Sequence, residues 1–182
     1  YTGREEIISM KNSYHGNTHG ALSVSGNEFH KREFRPLLPM VNFIDFDNEK
    51  ELSKITKKTA CVIAETIQGA AGFLVPTSTY FQKLKARCEE VGALLILDEI
   101  QPGFGRTGKL FAFEHFGIVP DILVMGKGMG GGVRVASLMG SKKIMETLSH
   151  SPKLGHITTF GGNPLIAAAS LATLKEVLES GL

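Results

Sequence analysis

Two residues stand where a reactive group could be held. Asp98 closes the apolar run Ala93-Leu94-Leu95-Ile96-Leu97, and Lys127 follows the apolar run Asp121 to Met125, between Gly126 and Gly128. A lysine amine can form an imine with an aldehyde, which turns a carbonyl into an electron sink. A carboxylate at a strand end can hold a cationic ring nitrogen in its protonated form. The flanking glycines allow close approach of a flat ring. Each residue also has a plainer reading. Asp98 fits a strand-end turn or helix-cap acid, and Lys127 a solvated loop lysine.

Two glycine patterns imitate nucleotide sites and lack the chemistry. Gly103-Phe104-Gly105-Arg106-Thr107-Gly108-Lys109-Leu110 nearly has P-loop spacing. A P-loop needs a Ser or Thr hydroxyl for Mg²⁺ after its lysine, and Leu110 stands there. Gly126-Lys127-Gly128-Met129-Gly130-Gly131 matches G-x-G-x-x-G, but the chain continues as Gly132-Val133-Arg134-Val135-Ala136, which makes poor helix. His15 and His19 are four apart, with Gly16 between them and no acid in the gap. They read as loop residues with separate roles, and no metal site is expected.

The elements that must position these residues alternate between two patterns. Glu6 to Met10, Val41 to Ile44, Thr59 to Thr66, Ala93 to Asp98, Asp121 to Met125 and Val135 to Met139 read as strands. Between them, Phe81, Leu84, Cys88 and Val91 recur at helical spacing, with Thr77 as the expected cap and Gly92 as the stop. Ser141 is expected to start a helix through Leu148, and Pro164 another to about Leu178. Buried strands alternating with helices predict an α/β fold with a mostly parallel sheet flanked by helices. In such sheets ligands gather at the carboxyl ends of strands, where Asp98 and Lys127 sit.

The bulk numbers exclude several classes. A chain of 182 residues fits one domain with a real core. A formal net charge of +2, from 20 basic and 18 acidic residues, argues against nucleic acid and anionic membranes as partners. Apolar runs are too short to span a bilayer. The two cysteines, Cys61 and Cys88, fall on a strand and a helix and read as reduced thiols, which favours the cytoplasm. The chain opens at Tyr1 without methionine and closes directly after a helical pattern, so both ends read as cuts within a larger protein.

Several blocks, in order, resemble the class III aminotransferases, the ornithine, acetylornithine and 4-aminobutyrate type. They are Tyr14-His15-Gly16; Glu65 with Ile67-Gln68-Gly69; Ala93 through Gln101 followed by Gly103 through Lys109; Pro120 through Leu123 followed by Gly126 through Gly132; and His156 with Thr159-Phe160-Gly161-Gly162-Asn163-Pro164. The resemblance covers nearly the whole chain. It implies the large domain of a fold type I enzyme dependent on pyridoxal 5'-phosphate (PLP). It implies Lys127 as the Schiff-base lysine and proton shuttle, and Asp98 as the partner of the pyridinium nitrogen. Gln101 would bond the ring hydroxyl, Ile100 would pack on one ring face and Tyr14 would stack on the other. His15, Glu65 and Glu99 would support these groups. Thr159 would reach the phosphate of the neighbouring subunit's cofactor, which implies a homodimer.

The same resemblance sets further expectations. The family's phosphate loop lies upstream of Tyr1 and its small domain beyond Leu182, so residues 1–182 are expected to be a large-domain piece that binds PLP weakly or not at all and does not turn over alone. Asn17 stands where acetylornithine-type members carry arginine, Ala70 where ornithine and 4-aminobutyrate types carry glutamate, and Arg134 where proline is common. These departures weigh against the acetylornithine and ornithine readings. Asn17 and Thr158 are the expected substrate-facing residues. The expected reaction moves an amino group, from a terminal ω-amine, to a 2-oxo acid. An aminomutase, racemase or decarboxylase would share Lys127, Asp98 and Gln101. A non-catalytic dimerisation fragment is the rival outside catalysis.

Overall fold

The computed structural model describes residues 1–150 and 152–181. Strands β1 (Glu6–Met10), β2 (Val41–Ile44), β3 (Thr59–Glu65), β4 (Leu94–Asp98), β5 (Ile122–Gly126) and β6 (Ala136–Gly140) form one six-stranded sheet in the order β2-β1-β3-β4-β5-β6. The pairings from β2 through β5 are parallel, and β6 runs antiparallel to β5. The mostly parallel α/β sheet expected from the sequence is therefore present. The chain leaves β1 toward one edge and returns to place β3 on the other side, so the strand order reverses between β1 and β3. Parallel sheets bind ligands at such a reversal, beyond the carboxyl ends of the strands.

Helices α1 (His19–Val24), α2 (Glu28–Lys31), α3 (Tyr80–Val91), α4 (Lys142–Met145), α5 (Thr147–His150) and α6 (Pro164–Glu179) complete the elements. α3 shows why the core lies where it does. Its Phe81, Leu84 and Cys88 are fully buried and face Val62, Leu95 and Leu97 of the sheet within one apolar cluster. Burial of a side chain such as Leu84 stabilises the fold by about 1.5–3 kcal/mol. Phe81 also packs on Tyr80 and Phe116, with ring centroids 5.5 and 5.2 Å away. Gly92 ends the helix in a left-handed conformation, φ 71°, and its N–H returns to the carbonyls of Cys88 and Glu89.

Three local expectations need correction. Thr77 does not cap α3: its N–H and hydroxyl donate to Asp47 Oδ1 at 3.0 and 2.7 Å, and the helix opens at Tyr80. The segment from Ser141 is two short helices, α4 and α5, rather than one. Ser141 does cap the first, accepting from Ile144 N–H. β6 is mostly exposed rather than buried. Cys61 and Cys88 are free thiols, and burial pushes them up to about 11 and about 12. Among the described residues, no helix is long and apolar enough to cross a membrane.

Candidate active site

Three adjacent parallel strands end in the residues that matter. The register sets Glu65, the last residue of β3, beside Asp98, the last of β4, and Asp98 beside Val124 of β5. Two residues past Met125, β5 gives way to Lys127. The loop after β1 brings Tyr14 and His15 over the same edge. Tyr14, His15, Glu65, Asp98, Ile100, Gln101 and Lys127 line one cleft of about 150 Å³, together with Gly16 and Pro102.

The carboxylates in this edge are buried and bonded. Asp98 is 5% exposed; its Oδ2 lies 2.8 Å from His15 Nδ1, and its Oδ1 accepts from Ile100 N–H at 3.0 Å. A carboxylate offers about four acceptor positions, so Asp98 keeps capacity for a further donor in the cleft. With Nδ1–H donating to Asp98, His15 Nε2 is left buried and without a partner among the described residues. Glu65 accepts from the backbone N–H of Tyr14 at 2.8 Å and of Gly69 at 3.1 Å. Burial pushes the Glu65 carboxyl up, against the pull of those two bonds.

Lys127 sits at φ 42°, a left-handed conformation that costs a non-glycine residue about 1–3 kcal/mol. Its amine has no ion-pair or hydrogen-bond partner among the described residues. An unpaired lysine on a strained turn, next to a buried carboxylate, suits covalent capture of a carbonyl better than salt-bridge duty.

The other expected residues lie elsewhere. Glu99 points away from the cleft. It accepts from Thr66 Oγ1 at 2.6 Å and from the N–H groups of Ala112 and Phe113 at 3.0 and 2.9 Å, so it staples the end of β3 to the 112–116 turn. Burial pushes its carboxyl up as well. Asn17 is exposed and does not line the cleft. Thr158 and His156 line a separate trough beside β6, with Val124, Met145 and Leu148. Thr159 lies in an exposed turn. His19 bonds the Pro36 carbonyl at 3.0 Å, far from the role His15 plays.

Sequence reasoning missed an adjoining trough of about 500 Å³, lined by Ile67, Phe73, Val75, Arg106 and Thr107 and continuous with the cleft through Gln101, Pro102 and Lys127. Its signal lies in Gly103 through Lys109, a stretch that fails as a P-loop and matches the family pattern without itself pointing to a cavity. The loop is held instead by His115, whose Nε2 lies 3.0 Å from the Thr107 carbonyl.

Comparison with known proteins gives one consistent answer. The family model for class-III aminotransferases matches residues 1–182. A LysW-aminoadipate semialdehyde/glutamate semialdehyde transaminase from Sulfurisphaera tokodaii is 43% identical over 181 residues, covering 100% of this chain and 46% of that protein. A putrescine aminotransferase from Pectobacterium atrosepticum is 42% identical, over 99% of this chain and 40% of that protein. The chain thus spans just under half the length of the relatives it matches. Among solved structures, the ornithine aminotransferase of Toxoplasma gondii superposes with a TM-score of 0.88 at 35% identity, over 98% of this chain and 42% of that one. An amine transaminase from an uncultivated Pseudomonas species, in its PLP-bound form, gives 0.89 at 30% identity, over 98% of this chain and 46% of that one.

Proposed function

The chain belongs to the class-III aminotransferase family, and on that premise we propose that its parent protein transfers an amino group, from a terminal ω-amine, to a 2-oxo acid with PLP as cofactor. The sheet is that of a fold type I PLP enzyme. The observation that carries the proposal is the meeting of Asp98 and Lys127 in one cleft, with Tyr14, Ile100 and Gln101 around them. The matched relatives act, by their names, on semialdehydes and on putrescine, which supports a terminal amine as the donor.

The residues present fit PLP. Asp98 is a buried carboxylate with acceptor capacity to spare, Tyr14 and Ile100 offer apolar surface, and Lys127 Nζ is unpaired. When bound, PLP supplies an aldehyde and an electron-accepting ring. Asp98 would hold the proton on the ring nitrogen, and His15 Nδ1 would fix the orientation of that carboxylate. Gln101 would bond the ring hydroxyl. Lys127 Nζ would hold the aldehyde carbon and then carry the proton at the substrate's reacting carbon.

A homodimer belongs to the same proposal, with Thr159 reaching the partner's cofactor. What supports it is that the turn holding Thr159 is exposed and stands outside this chain's own cleft. The free thiols Cys61, half-buried, and Cys88, buried, support the cytoplasm as its compartment.

The test is PLP titration followed by borohydride reduction and peptide mapping by mass spectrometry. The expected adduct lies on Lys127 and vanishes in Lys127→Ala. An adduct spread over surface lysines, in the protein at its full length, would overturn the reading.

A further inference from the structure

We propose that Glu65 is a positioning residue for the aromatic wall of the cleft: its carboxylate clasps the Tyr14 backbone to that of Gly69 and so sets where the Tyr14 ring stands. The inference rests on the cofactor reading, since the ring to be stacked is that of PLP.

Tyr14 is 41% exposed, and its side chain makes no hydrogen bond or aromatic pair among the described residues. Its backbone is the polar handle on its position: the N–H goes to Glu65 Oε1 at 2.8 Å. The other oxygen of the same carboxylate takes Gly69 N–H at 3.1 Å. Gly69 lies directly under the Gln101 side-chain amide, where a Cβ would overlap it, so this end of the clasp adjoins the cleft. Glu65 therefore joins the loop after β1 to the loop after β3 across the strand-order reversal where the cleft opens.

The neighbouring ties do different work. Gln68 Nε2 reaches the Lys11 carbonyl at 3.0 Å, three residues short of Tyr14. His15 N–H goes to Ser25 Oγ at 3.0 Å, and the His15 ring to Asp98. The two carboxylates that sit side by side thus divide consecutive residues: Asp98 takes the His15 ring, Glu65 the Tyr14 backbone. An arrangement that merely satisfied spare N–H groups would stabilise the fold without affecting the cofactor, and the two readings separate experimentally.

The first measurement is amide exchange on the wild-type protein without PLP. The Tyr14 and Gly69 amides should be protected, and Glu65→Gln, which trades one acceptor for a donor, should lower that protection by about tenfold or more. Fast exchange at Tyr14 in the wild type would overturn the clasp whether or not the variant folds. The second is PLP affinity and the visible circular dichroism of the bound cofactor. Glu65→Gln should weaken PLP about tenfold and alter the dichroic band. In a Tyr14→Ala background the same substitution should change affinity by less than about twofold, because its route of action is gone. A full effect in that background would sink the proposal. Failure of the wild type to take PLP at Lys127 would instead overturn the cofactor reading, and the exchange result would still judge the clasp.

Discussion

The carboxyl ends of β3, β4 and β5 and the stretch from β6 through α6 are built on opposite terms. At the strand ends, Glu65, Asp98 and Glu99 are each 5% exposed or less, and both oxygens of every one accept a hydrogen bond. Past Ala136 no apolar side chain among the described residues is fully buried. β6 shows Leu138 and Met139 to the outside, and α6 buries none of its residues, with Leu165, Leu171 and Leu178 more than half exposed. The first region is completed by the chain itself. The second carries an apolar surface of the sort that marks an interaction face. They meet at the turn holding Lys127: α6 packs against residues 127–130, and Gly131 has no room for a Cβ beside Thr173.

The largest effect should come from the closed side. Leu84→Ala, at a fully buried position under the sheet, should cost about 2–5 kcal/mol in urea unfolding. A loss well under that would mean the core is looser than its burial implies, and the contrast would weaken.

Next is Glu99→Gln, which should cost about 1–3 kcal/mol by leaving a buried N–H facing a donor. Its pH dependence sharpens the point. Burial holds the Glu99 carboxyl above its ordinary 4.5, so the folded state favours the protonated acid. That contribution is full below about pH 4.5 and is lost as pH rises through the raised value. Thermal melts should therefore show the wild-type advantage over Glu99→Gln narrowing as pH rises. An advantage that widened with pH would mean the bonds to Thr66, Ala112 and Phe113 outweigh burial.

A smaller effect, of opposite sign, belongs to the boundary between the regions. Lys127→Gly relieves a left-handed lysine at φ 42° and should stabilise the cofactor-free protein by up to about 1 kcal/mol, while abolishing the borohydride adduct. A destabilised variant would mean the lysine stem contributes packing.

The sequence made the closed side legible and left the open side less so, for physical reasons. Apolar runs such as Leu94–Asp98 announce buried strands because both faces are covered, and Gly92 announces a stop because it alone tolerates the αL turn at no cost. Asp98 and Lys127 were visible as strand-end residues, and Tyr14, His15 and Glu65 through a family pattern. The direction of β6 was not read, although the link of residues 127–135 is shorter than the dozen or so residues a parallel crossover needs. Thr77 was misread because its true partner, Asp47, is distant in sequence. The resemblance placed Glu99 with His15 and Glu65 as a support of the site, and its adjacency to Asp98 hides that the two side chains leave the strand end toward different partners.

The smallest expected effect is the most telling. Leu171→Ala is the same chemical change as Leu84→Ala, made on α6, where the side chain is 54% exposed. In a dilute, dissociated protein it should shift stability by less than about 0.5 kcal/mol, as surface substitutions do. If the proposed homodimer covers the exposed face of α6, association that favours the folded state adds to its stability. The cost of Leu171→Ala should then grow when unfolding is repeated at about 100 µM rather than about 1 µM protein. A cost as large as that of Leu84→Ala at both concentrations would mean α6 is packed within the protomer, and the contrast between the two regions would be gone. A small cost at both would leave α6 as a face that self-association does not cover.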